Sequence, residues 1–222
     1  ALAAQFDADA IYPLPDERDD PYAHTDVDRL RTVFEARGDQ IQVVTGHFPF
    51  CVTELLGVPF KSFTILREPV DRTLSHLRYQ RLVDDLYADK SFLDAYSVPT
   101  NLFGNLLNQM VKTLGMSASE NTAGVWSFLP CTDEHLERAK AALDSMAVVG
   151  VQSDFGGFLA DLKDAFGWDL GEPVRTNETD PTGVDGSFLE LVASDNYLDS
   201  ALYEYAVELV AKRGRRLVER SA

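Results

Sequence analysis

Three residues combine a proton acceptor with donors suited to an anion: His47, Arg67 and Ser75. A neutral imidazole near pH 7 can take the proton of an attacking hydroxyl. Arg67 offers a planar fork of donors matched to phosphate oxygens, and Ser75, eight residues on, offers a hydroxyl to the same anion. Pro69 suits the first turn of a helix, whose positive dipole end would lie beside Arg67. Each residue also has a plainer use. A strand-end histidine can be structural, an arginine next to Glu68 and Asp71 can form a salt bridge, and a helical serine can be incidental. The three together point to a hydroxyl-activating base beside a phosphate cradle.

The elements that must position them read as alternating short strands and amphipathic helices. Asp26 caps a helix over DRLRTVFEAR that Gly38 stops. IQVVTGH is a buried strand ending on His47, FCVTELLG a short helix, and FKSFTILRE a strand ending on Arg67. PVDRTLSHLRYQRLVDDLYA follows as one long helix with Leu74, Leu77 and Leu82 facing inward. SFLDAY and NLFGNLLNQMVKTLG read as helices, with a loop from Met116 to Leu129. Thr132 caps TDEHLERAKAALDSM, MAVVGVQ is a third strand, and GGFLADLKDAFGW, SFLELVASDN and YLDSALYEYAVELVAKRGRRLVER are helices. This order predicts a helix-rich, layered α/β domain around a small, mainly parallel sheet, with residues 1–222 forming one domain. Ligands in such folds bind beyond the carboxyl ends of the strands, where His47 and Arg67 would emerge together.

Composition narrows the function classes. The chain of 222 residues is 45% hydrophobic, enough for a full core. It has no apolar run long enough to span a bilayer and no leader pattern, so the cytoplasm is the default expectation, or a lumen if an anchor lies upstream. The net charge of −16 disfavours nucleic acid and anionic membranes as partners. Residues 1–40 hold ten acids against four arginines, whereas Arg67, Arg72, Arg78 and Arg81 face only Glu68 and Asp71. That basic island suggests an anion site, although a solvated, salt-bridged helix face would look the same. Cys51 and Cys131 lack disulfide or zinc spacing and read as small buried hydrophobes.

The string VVTGHFPF, then TELLG, then FTILREPVDRTLSHLRY closely resembles the core of the sulfotransferase family that includes the heparan sulfate 2-O-sulfotransferases and many bacterial relatives. The resemblance implies a P-loop NTPase-like sulfotransferase fold and 3′-phosphoadenosine 5′-phosphosulfate as sulfate donor, with no metal. It implies that Arg67 and Ser75 hold the cofactor's 3′-phosphate and that His47 is the catalytic base. It extends to Asn108, Lys112, Leu114 and Gly115 in NQMVKTLG, where Lys112 replaces the more usual Arg, to LERAKAALDSMAVVGVQSDFGGFLADLKDAFGW, to VRTNET, which would bring Arg175 near the nucleotide, and to SDNYLDSALYEYA. Arg72, Arg78 and Lys112 are candidates for binding an anionic acceptor, the acceptor itself being a carbohydrate or another hydroxylated molecule.

One family element is missing from the sequence. The Pro-Lys-x-Gly type loop that cradles the 5′-phosphosulfate does not occur between Ala1 and Ala222. The expectation is that the first strand, this loop and part of its helix precede Ala1. The alternative function is a non-catalytic sulfotransferase-like module that binds an anion or a partner protein. A nucleoside or nucleotide kinase would share the layering, but needs a phosphate loop and magnesium-binding acids in a pattern the sequence lacks.

Overall fold

The computed structural model describes residues 5–171 and 183–220, the side chains of 215–220 excepted. It is a helix-rich α/β arrangement in which all strand pairing is parallel. Strand β1 (Ile11–Tyr12) pairs with β2 (Val43–Val44), and β3 (Phe63–Leu66) pairs with β4 (Val148–Val151) in the register Phe63↔Val148 to Leu66↔Val151. One small sheet was expected. Among the described residues there are instead two separate two-stranded ladders, each leaving an unpaired edge on both strands. No helix among the described residues is long and apolar enough to cross a membrane.

Local chemistry explains most boundaries. Helix α1 (Val27–Arg37) begins where the Asp26 carboxylate accepts the Arg29 N–H at 3.0 Å. After the short α2 (Val52–Leu55), helix α3 (Pro69–Val83) starts under a cap from Glu68, whose Oε2 accepts the Asp71 N–H at 2.7 Å. Helix α3 is shorter than its periodicity suggests, because Asp84 turns its carboxylate onto the Leu86 N–H at 2.9 Å and draws the backbone out of the helix. Leu74 and Leu77 are buried as expected, but Leu82 is 85% exposed.

The expected helix NLFGNLLNQMVKTLG is broken. After α4 (Phe92–Tyr96) and the single turn α5 (Pro99–Asn101), residues Leu102–Leu106 form a π-helical turn, and α6 (Gln109–Gly115) restarts beyond Asn108. Asn108 sits in the left-handed region at φ 43°. The break has a cause in the next elements: α7 (Asp133–Ser145), α8 (Phe155–Phe166), α9 (Gly186–Asp195) and α10 (Tyr197–Arg220). Asn108 Oδ1 accepts the Leu198 and Asp199 N–H groups, both at 3.1 Å, so it caps α10. In return Asp199 accepts the Met110 N–H at 3.0 Å and the Val111 N–H at 2.8 Å, so it caps α6. The two helices satisfy each other's orphan amides.

The main core joins Leu66 of β3 and Val149 and Val151 of β4 to Val111 of α6, Leu143 of α7 and Leu202 of α10. Helix α6 lies so close to α7 that a Cβ on Gly115 would sit 2.1 Å from the His135 carbonyl oxygen. A second cluster packs α3 and α4 under α9 through Leu77, Tyr96 and Val192. A third, with Tyr12, Leu30 and Val52, lies under the β1–β2 ladder. The segment preceding α3 is thereby fixed on one side by the core and left open on the other.

Candidate functional site

The turn after β2 holds His47 by its backbone. The His47 N–H donates to the His24 carbonyl at 2.7 Å. Gly46 permits this approach: it has φ +155°, and a Cβ there would lie 2.6 Å from that same carbonyl and 2.5 Å from the Phe48 ring. The imidazole is solvent-accessible. Its pKa is nonetheless lowered, first by partial desolvation and then by the Arg72 guanidinium and by His24. The guanidinium pushes in the same direction as the burial, so the ring is neutral at pH 7 and able to accept a proton.

Arg67, at the end of β3, has a buried Nε with no hydrogen-bond partner. It lies close enough to Arg72 to lower the pKa of that deeply placed guanidinium, after desolvation and against the pull of Asp199. Arg72 Nη2 donates to the Asn105 carbonyl at 3.1 Å. Ser75 lies one turn further along the same helix and is half-buried. The site therefore gathers His47, Arg67 and Arg72 around the β3–α3 unit, with positive charge in excess. The helix dipole contributes less than the sequence suggested, since the Glu68 carboxylate already occupies the N-terminal amide of Asp71.

His76 belongs to this group and was missed. Its Nε2 donates to Asn101 Oδ1 at 3.3 Å, an oxygen that also accepts from Gln80 Nε2 at 3.0 Å, while Asn101 Nδ2 donates to Gln80 Oε1 and to the Ala95 carbonyl. That amide network fixes the tautomer with the proton on Nε2. Burial, and then Arg72, hold the His76 pKa down at about 4. The signal was available: His76 follows Arg72 by four residues, one helical turn, and so shares its face.

Asp199 was also missed. It is buried and is pushed up to about 6 by desolvation, with Arg72 opposing the shift. It is the carboxylate that the cationic group shares with the helix caps.

Two of the sequence candidates land elsewhere. Lys112 is fully buried, and its ammonium donates to the carbonyls of Phe103 at 3.1 Å, Gly104 at 2.7 Å and Ser127 at 3.2 Å. With its three donors used, it has none to offer an acceptor, and the reading as an acceptor-binding residue gives way to a structural one. Desolvation lowers its pKa to about 8. Arg78 places its guanidinium 5.7 Å from the Phe92 ring centroid, engaged with α4 rather than with His47. Arg175 and the VRTNET segment lie outside the described residues.

Both cysteines are free; burial pushes Cys51 up to about 11 and Cys131 up to about 12, which leaves them protonated and unreactive. Among the described residues, no group of three or more His, Cys, Asp or Glu side chains is placed to hold a metal ion. No family model matches the chain, and no curated protein matches it.

Proposed function

We propose that the chain is a sulfotransferase that moves a sulfuryl group from 3′-phosphoadenosine 5′-phosphosulfate to a hydroxyl. The observation that carries this reading is an accessible His47 held neutral by partial burial and by Arg72, on the helix that follows Arg67, whose buried Nε has no hydrogen-bond partner. Arg67 and Ser75 bind the 3′-phosphate. His47 takes the acceptor's hydroxyl proton as that oxygen bonds to sulfur, and the bond from sulfur to the bridging oxygen of the 5′-phosphate breaks, releasing 3′-phosphoadenosine 5′-phosphate. Burial, and then Arg72, keep His47 unprotonated, and Arg72 adds positive potential beside it.

The finer fold assignment, a P-loop NTPase-like sulfotransferase domain, is supported by strand pairing that is parallel in both ladders. The absence of a phosphosulfate loop from the sequence favours the second reading, an anion-binding module without catalysis. The substitution His47→Ala separates the two. It abolishes sulfate transfer while the affinity for 3′-phosphoadenosine 5′-phosphate stays within about twofold, a change too small to involve a lost ligand contact. Loss of affinity in His47→Ala would reassign the residue to cofactor binding.

A further inference from the structure

Two pairs of exposed aromatic rings stand on the segments that hold the His47 turn and Arg72. Tyr22 is 61% exposed and stands edge-on to Trp126 with ring centroids 5.7 Å apart. Phe103, 47% exposed, and Phe128, 62% exposed, have centroids 6.2 Å apart. Both pairs adjoin the site through its own hydrogen bonds. Tyr22 is two residues from His24, whose carbonyl holds the His47 N–H, and Phe103 is two residues from Asn105, whose carbonyl holds Arg72. Trp126 and Phe128 lie on one short loop and join the two pairs into a single arc.

The arc is rigidly mounted. The buried Lys112 ammonium ties the carbonyls of Phe103 and Gly104 to that of Ser127, so one cation fixes the backbone under both phenylalanines. Ser127 Oγ accepts the Thr122 and Ala123 N–H groups, and the buried Gln109 side chain donates to the Val125 carbonyl at 3.0 Å. Gly124, at φ +58°, brings the loop onto the Tyr22 segment, since a Cβ there would lie 2.7 Å from the Thr25 carbonyl. Solvent-facing aromatic rings held this firmly are binding surfaces far more often than accidents of packing.

The charges nearby decide what binds. Arg29 is committed to Glu17 and Asp20, Arg138 to Glu120, and Lys112 and Arg72 point inward to carbonyls. None of these cations faces the arc, and the net charge of −16 repels a polyanion. What remains are flat apolar faces at the edge of a site that activates hydroxyls. We infer that Tyr22, Trp126, Phe103 and Phe128 form the acceptor platform, and that the acceptor is a neutral carbohydrate whose C–H faces stack on these rings. This rests on the reading of His47 as the base.

Trp126 makes the platform observable, because the other tryptophan, Trp168, lies apart among Phe6, Phe63 and Phe166. Fluorescence titration of the chain with cello-, malto- and chitohexaose is expected to give a saturable change with at least one of them. The change persists in Trp168→Phe and disappears in Trp126→Phe. Phe103→Ala with Phe128→Ala, both on the surface, weakens binding by about tenfold or more, while Lys212→Ala, at a surface lysine paired with Glu208 on α10, leaves it unchanged. No saturable change with any of the three overturns the inference, as does binding indifferent to the phenylalanines, or tighter binding of a heparin hexasaccharide or of p-nitrophenol. If the hexasaccharide binds but 3′-phosphoadenosine 5′-phosphate does not, the platform stands and the sulfotransferase reading falls. The reverse result removes the platform alone.

Discussion

Arg72 does two jobs with one guanidinium: it shares the buried charge of Asp199, and it adds to the burial that lowers the pKa of two histidines. The second job has a definite sign. A cation beside an imidazole disfavours the imidazolium, so the His47 pKa lies below its ordinary value, and removing the cation raises it. In Arg72→Gln the Cε1–H resonance of His47, one of four histidines, is therefore expected to titrate at higher pH than in the parent chain; the acid limb of any transfer activity moves up with it. An unchanged His47 titration would mean that Arg72 does not face the imidazole. The places of Arg67 directly after a strand and of Ser75 on the helix that Pro69 starts could be read from apolar runs and Pro69, whereas β2 stops at Val44, three residues short of the strand end expected at His47. The place of Lys112 could not be read. A lysine four residues after Asn108 on a helix reads as solvated, and only the π-helical turn supplies the carbonyls that make its burial tolerable.

At the scale of elements, the reciprocal capping of α6 and α10 binds the π-helical turn to the rest of the structure. Asp199 carries both the caps on Met110 and Val111 and the counter-charge to Arg72. Asp199→Ala leaves a buried guanidinium uncompensated and two helix-start amides unsatisfied, and it is expected to lower the unfolding free energy by about 3–5 kcal/mol. Urea denaturation checks this, with the midpoint falling and the slope unchanged. A loss below about 1 kcal/mol would show that solvent replaces these bonds. The break at Leu107–Asn108 was invisible in the sequence for a related reason. NLFGNLLNQMVKTLG keeps a helical spacing of apolar residues throughout, and the tolerance of asparagine for the left-handed region matters only because the start of α10, some ninety residues away, takes up its side chain. The caps at Asp26 and Thr132 were legible because they act within four residues of themselves.

For the molecule as a whole, the proposed function asks an acidic chain to hold a nucleotide bisphosphate against its own field, so such binding would depend on the local excess of positive charge around Arg67 and Arg72. The α/β layering and parallel pairing were readable from strand–helix alternation. The split into two ladders was not, because the sequence shows where strands run but not which edges stay open. The decisive measurement is calorimetric titration of the 222-residue chain with 3′-phosphoadenosine 5′-phosphate, followed by a crystal soak. The account predicts weak, saturable one-to-one binding with phosphate density beside Arg67 and Ser75. Arg67→Ala should eliminate the binding, and Ser75→Ala should weaken it by about tenfold, as expected for one hydrogen bond to a charged group. Binding that survives both substitutions, or density elsewhere on the chain, would contradict it.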